Sequence, residues 1–252
     1  MTMMEYVGCG FIAFGLPAAL FIVTIARDPL RVLVLMASAF FWLVSLLLSS
    51  MLWFAVVPLR EKLVFGVVFS VLFQELFRFF FFLLMKKAHA GLNKLLERDT
   101  SAQPDSLTLV HNRHLLAYVS GLGFGIIGGA FSMVNVLADM SGPGTIGLKG
   151  DSSLFFIVSA LATLCFVLLH TFWGIIFFDG MNRDRLNQVA AVVACHMLVS
   201  CMSLLNQLDP PVYLGSMITM YIMMIVMGVW AFIIAGGQLG KIPELLPCVH
   251  NV

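Results

Sequence analysis

Glu75, Arg78, His170 and His196 could do chemistry in this chain, because each interrupts a run of apolar residues. Glu75 and Arg78 stand at i and i+3, a spacing that brings two side chains together on one helix face, and Gln74 adjoins them. His170 lies in a later apolar run and His196 in the run after that. A carboxylate and two imidazoles could hold Zn²⁺ or activate a water molecule. The same groups could instead form a hydrogen-bonded cluster that fixes helix register, each bond contributing about 0.5–2 kcal/mol in lipid. In both cases the four should point away from lipid, where ionisable groups are costly.

Composition sets the surroundings of these residues. Hydrophobic residues make up 61% of the chain and charged ones 11%, with 23 Phe, and the mean hydropathy is +1.02. A water-soluble globule of this length does not have that composition, so the chain reads as an integral membrane protein. The net charge of +1 and the lack of a basic tract give nucleic acid no footing. Cys9, Cys165, Cys195 and Cys201 lie inside apolar runs, where they serve as small packing residues rather than a disulfide framework. Cys248 follows the last apolar run and is a candidate for palmitoylation.

Apolar runs at 6–25, 32–57, 63–84, 115–137, 154–178, 186–206 and 212–235 are each long enough to cross a bilayer, which takes ~20 residues of helix. The fold class is therefore all-α, a polytopic bundle of seven transmembrane helices. The spans occupy residues 1–240, with a polar cytosolic loop near 86–114, a Gly/Pro-rich loop at 141–151 and a short tail at 241–252. Positive charges follow the first run instead of preceding it, which sets that run apart from a cleavable leader. With the N-terminus outside, ten basic residues fall on the cytosolic side (Arg27, Arg31, Lys86, Lys87, Lys94, Arg98, Arg113, Arg183, Arg185 and Lys241). Only Arg60, Lys62 and Lys149 then fall outside. The positive-inside rule thus predicts a lumenal or extracellular N-terminus and a cytosolic C-terminus. In that orientation Glu75, His170 and His196 sit at similar depth, roughly 13 Å from the cytosolic helix ends at 1.5 Å per residue, and could meet in one layer.

The fourth run carries Gly121, Gly125 and Gly129 at every fourth position. On a helix these form one smooth groove, and in lipid such grooves let backbones touch. The expectation is a packing surface for transmembrane helices, occupied either by helices of this chain, as in any multispan protein, or by helices of partner subunits. The tryptophans divide: Trp53 falls near an outer interface, whereas Trp42 and Trp173 lie deeper as packing residues. Phe79–Phe82 should face lipid and bundle by turns.

Three functional classes remain open at this point. The segments around Glu75 and His170 are faintly similar to the helix motifs of the CAAX prenyl proteases. However, Gln74 stands where that family has a second acidic residue, and Ser200 stands where it has Asn or Asp. A seven-helix receptor or transporter would use the polar layer for a ligand or ion, but no cysteine pair lies near the outer loops and no two-half repeat is visible. The third class is a scaffold whose helices pack against other chains.

Longer motifs favour the third class. G-C-x-F-I-A-F-G at 8–15, D-P-L-R at 28–31, F-F-W-L-V-S-L-L-L at 40–48 and Q-E-x-F-R-F at 74–79 occur in order. They are followed by Y-V-S-G-L-x-F-G-I-I-x-G at 118–129, L-A-D-x-x-G-P-G at 137–144, L-L-H-T-F-W-G at 168–174 and W-A-F-I-x-A-G-G at 230–237. Together these resemble the anterior-pharynx-defective subunit family of γ-secretase along nearly the whole chain. That resemblance implies seven spans, a lumenal N-terminus, no catalytic aspartates and no cofactor. It implies a role in holding presenilin, nicastrin and the presenilin enhancer subunit together in the endoplasmic reticulum, Golgi and plasma membrane. The assembled enzyme would cleave Notch-type and amyloid precursor-like substrates. The family's glycine motif maps onto Gly121, Gly125 and Gly129, and its paired intramembrane histidines onto His170 and His196.

Overall fold

The computed structural model describes residues 3–59, 62–98, 112–141, 154–208 and 210–238. In chain order the helices are α1 (Met3–Thr24), α2 (Pro29–Ala55), α3 (Leu63–Arg98), α4 (Arg113–Ser141), α5 (Phe155–Asn182), α6 (Leu186–Ser203) and α7 (Tyr213–Ile234). Short 3₁₀ turns at Val57–Leu59 and Leu204–Gln207 extend α2 and α6. All seven helices are long and apolar enough to cross a membrane, so the protein is a multi-pass integral membrane protein.

Local sequence explains where the helices begin and end. Asp28 caps α2: its carboxylate accepts from the backbone N–H of Leu30 at 3.0 Å and of Arg31 at 3.4 Å, and Pro29 supplies a first residue that needs no donor. Arg31 Nε donates to the same carboxylate at 2.9 Å while its Nη1 reaches Thr24 O at 2.6 Å, tying the end of α1 to the start of α2. Between α5 and α6 the chain reverses through Asp184, which adopts the left-handed region at φ 55°. The N–H of Arg185 there closes on Gly180 O at 2.8 Å. At the far end α7 stops at Gly236, φ 94°, where the N–H of Gly237 bonds back to Phe232 O at 2.9 Å.

One helix departs from the expected boundaries. α3 continues to Arg98, well past the expected span end at residue 84. The stretch K-K-A-H-A-G-L-N-K-L-L-E-R consists mostly of good helix formers, and extending a nucleated helix costs far less than starting one. The cytosolic loop expected over 86–114 is correspondingly shorter. Residues 99–111 lie outside the described residues, as do residues 142–151 of the Gly/Pro-rich loop and the tail 241–252 with Cys248; Ser141, expected to open that loop, is the last residue of α4.

α5 is the hub. Half of its most apolar stretch is buried, against 17% for α1 and α7 at the periphery. It packs on α4 above all, and also on α1, α6 and α7, while α3 leans on α2 and α6 at the side of the bundle. Trp42 and Trp173 are buried and Trp53 is half exposed, while Phe80 faces outward and Phe81 and Phe82 inward. Cys9, Cys165 and Cys195 are buried free thiols, and Cys201 is a partly buried one.

Candidate functional site

Three helices each contribute to one buried polar cluster. α3 supplies Glu75 and Arg78, α5 supplies His170 and α6 supplies His196, and all four residues are at most 5% exposed. Arg78 Nη2 lies 3.3 Å from Glu75 Oε1, closing the pair that the i, i+3 spacing allows. The same carboxylate oxygen is 2.6 Å from His196 Nδ1. Arg78 Nη2 is also 2.9 Å from His170 Nδ1. A guanidinium has only donors, so His170 Nδ1 accepts there, whereas His196 Nδ1 donates to the carboxylate. The two histidines therefore take different tautomers, each set by its own partner on α3.

Aromatic rings wall the cluster in. Trp173 stacks on His196 with centroids 4.4 Å apart and planes at 29°. The imidazoles of His170 and His196 meet edge to face at 5.0 Å. Arg78 has Phe124 of α4 at 5.4 Å and Trp173 at 6.0 Å, within cation–π range. One turn toward the N-terminus of α3, Gln74 Oε1 accepts from Trp42 Nε1 of α2 at 3.1 Å, and Gln74 Nε2 donates to Ser70 at 3.1 Å. The cluster thereby engages α2, α3, α4, α5 and α6.

A pocket of about 350 Å³ with largely apolar walls adjoins it, lined by Trp42, Trp53, Leu63, Val67, Val71 and Phe166 together with Gln74, His170, His196 and Ser200. Glu75 Oε2 and Arg78 Nε and Nη1 are buried without a protein hydrogen bond, so the network is not saturated. Its geometry does not suit the metal chemistry considered from sequence. Each imidazole Nδ1 is already committed to Glu75 or Arg78. No three His, Cys, Asp or Glu side chains among the described residues are placed to hold one ion. What the arrangement does well is tie helices in one register, because every named bond crosses from one helix to another except Glu75–Arg78 and Gln74–Ser70.

The glycine groove of α4 faces α5. A Cβ on Gly121 would meet the backbone oxygen of His170 at 2.7 Å, and one on Gly125 would meet that of Val167 at 2.5 Å. A Cβ on Gly129 would meet the Val167 side chain at 2.8 Å. α5 of the same chain lies against the groove, the internal packing that the spacing equally allowed. The reason is reciprocal: Gly174 on α5 sits opposite Gly121, its own Cβ position 2.8 Å from the Gly121 Cα, so two bare backbones cross there. Gly123 and Gly128 face α2 instead, toward Ser38 and Trp42.

Sequence reasoning missed Gly174, Gly123, Phe124 and the Trp42–Gln74 bond. Gly174 had a usable signal, one turn after His170 on the same helix. The Trp42–Gln74 bond had none, since nothing local says that α2 and α3 present those faces to each other.

The sequence has counterparts among known proteins. The family model described as Aph-1 protein matches residues 4–238. The chain is 51% identical to "Gamma-secretase subunit Aph-1b" of Danio rerio, over 98% of this chain and 95% of that protein. It is 49% identical to "Gamma-secretase subunit Aph-1" of Drosophila melanogaster, over 98% of this chain and all of that protein. It is 34% identical to "Gamma-secretase subunit aph-1" of Caenorhabditis elegans, over 79% of this chain and 71% of that protein. Seven membrane-length helices and a match that runs from α1 through the end of α7 place this chain in the Aph-1 family.

Proposed function

We propose that this protein is a non-catalytic scaffold subunit of γ-secretase, holding presenilin, nicastrin and the presenilin enhancer subunit together for intramembrane proteolysis of Notch-type and amyloid precursor-like substrates. The observation that carries the reading is near-full-length identity with proteins named as γ-secretase subunits. The placement of the aspartates agrees with it: Asp28 caps α2, Asp179 pairs with Arg183 at 2.8 Å in the last turns of α5, and Asp184 forms a turn. None of these three lies at mid-membrane, where an aspartyl protease would need its pair.

In this reading the N-terminus is lumenal, the C-terminus cytosolic, and the complex resides in the endoplasmic reticulum, Golgi and plasma membrane. Residues 1–240 form the membrane domain and 241–252 a short tail. Gly121, Gly125 and Gly129 act on assembly indirectly, by setting the α4–α5 spacing on which the outer helices depend. Glu75, Arg78, His170 and His196 hold α3, α5 and α6 in register. The test is purification in mild detergent with identification of the associated chains. Co-purification of presenilin and nicastrin is expected. A chain recovered alone, stable and hydrolysing peptides by itself, would overturn the reading.

A further inference from the structure

At the end of the bundle that carries the α5–α6 turn, α3, α4 and α5 leave a cleft of about 270 Å³ between them. Its floor is apolar: Phe82 of α3 meets Phe178 of α5 edge to face at 5.2 Å, with Met85 and Leu116 beside them. Its rim is basic: Lys86 and His89 come from consecutive turns of α3, and Arg113 is the first residue of α4. No carboxylate is among the described residues that line it. Among the described residues neither Lys86 nor Arg113 has an acidic partner at ion-pair distance, whereas the neighbouring Asp179 is engaged by Arg183 at 2.8 Å. Arg113 also borders a smaller adjoining cavity of about 80 Å³, so its charge faces open space on two sides.

We propose that this cleft binds the headgroup of an anionic phospholipid, with Lys86 and Arg113 clasping its phosphate and the Phe82–Phe178 floor receiving the start of its acyl chains. Depth supports this occupant. Lys86 and Lys87 follow closely on the apolar run 63–84 of α3, so the rim sits at headgroup level while Phe82, inside that run, sits in hydrocarbon. A soluble anion would use the rim and leave the apolar floor exposed, whereas a phospholipid satisfies both. Basic pockets between helices at the cytosolic boundary suit such headgroups, because anionic lipids concentrate in that leaflet. The proposal therefore rests on the cytosolic placement of this end, which comes from the proposed orientation.

The test uses the full chain with its co-purifying subunits in nanodiscs of phosphatidylcholine doped with phosphatidylserine in both leaflets, read by native mass spectrometry of retained lipid. Because both leaflets carry the anionic lipid, a wrong orientation would leave this result intact. Labelling of an engineered cysteine at Lys87 with an impermeant reagent in cells tests orientation separately. Retained phosphatidylserine is expected on the wild type. The double variant Lys86→Gln, Arg113→Gln should bind about 30-fold more weakly, at roughly 5-fold per cation. The charge-keeping variant Lys86→Arg, Arg113→Lys should retain the lipid. A control that removes two cations from the same end, Arg27→Gln with Lys87→Gln, should bind as the wild type does. The proposal is overturned if phosphatidylserine shows no preference over phosphatidylcholine, if the control loses as much as the cleft variant, or if soluble inositol phosphate displaces the lipid completely.

Discussion

His196 Nδ1 on α6 lies 2.6 Å from Glu75 Oε1 on α3, although 121 residues separate them in the chain. Glu75 is the carboxylate on which two positively charged or proton-donating groups converge, since Arg78 Nη2 stands 3.3 Å from the same oxygen. That single side chain thus connects α3 to α6 directly, and to α5 through Arg78 and His170.

Glu75→Ala should be the most damaging substitution in the cluster. It leaves the Arg78 guanidinium buried with no counter-charge, a change that costs about 3–5 kcal/mol when one partner of a buried pair is removed. Glu75→Gln keeps an acceptor for His196 and should cost less. Thermal denaturation in detergent, with recovery of the assembled complex, measures both. An alanine variant as stable as wild type would mean the pair contributes nothing.

His196→Ala should be worse than His170→Ala. Loss of His196 removes the shorter of the two contacts on Glu75 Oε1 and the ring on which Trp173 stacks at 4.4 Å. Loss of His170 still leaves Arg78 paired with Glu75. A double-mutant cycle of Glu75 with His196 should return a coupling of about 0.5–3 kcal/mol. Additive effects of the two substitutions would contradict the direct bond.

The glycines should rank by what a Cβ meets. Gly121→Ala and Gly125→Ala drive a methyl into α5 backbone oxygens at 2.7 and 2.5 Å and should cost about 1–3 kcal/mol by overpacking. Gly10→Ala has nothing within 4 Å and should be silent or slightly stabilising. Complex recovered on native gels should fall for the first two and not for the third. Equal recovery from all three would show that α4 and α5 do not cross as described.

Gln74→Leu should cost about 0.6 kcal/mol, and at most ~1.7, which is the range for interhelical hydrogen bonds within membranes. It removes the acceptor for Trp42 Nε1 at 3.1 Å. Trp42→Phe should cost a similar amount by the bond alone, and the two losses should not add. Full additivity in a thermal-shift series would exclude the bond.

The sequence by itself determined much of this protein. Hydropathy located seven membrane helices, because about 20 apolar residues are what a bilayer demands. The rarity of ionisable groups in lipid singled out Glu75, Arg78, His170 and His196 before any contact was known. Ordered motifs from Gly8 to Gly237 carried the family resemblance. Only the tertiary structure decided which helix each polar group answers to, that Gly121 faces Gly174 of its own chain, and that Trp42 meets Gln74. The physical reason is that depth in the membrane is a property of position along one helix, which composition encodes locally. Rotation about the helix axis is set instead by how two or more surfaces pack, and a groove of glycines accepts any smooth partner that reaches it first. Here that partner was α5, because it carries a small residue of its own at the crossing.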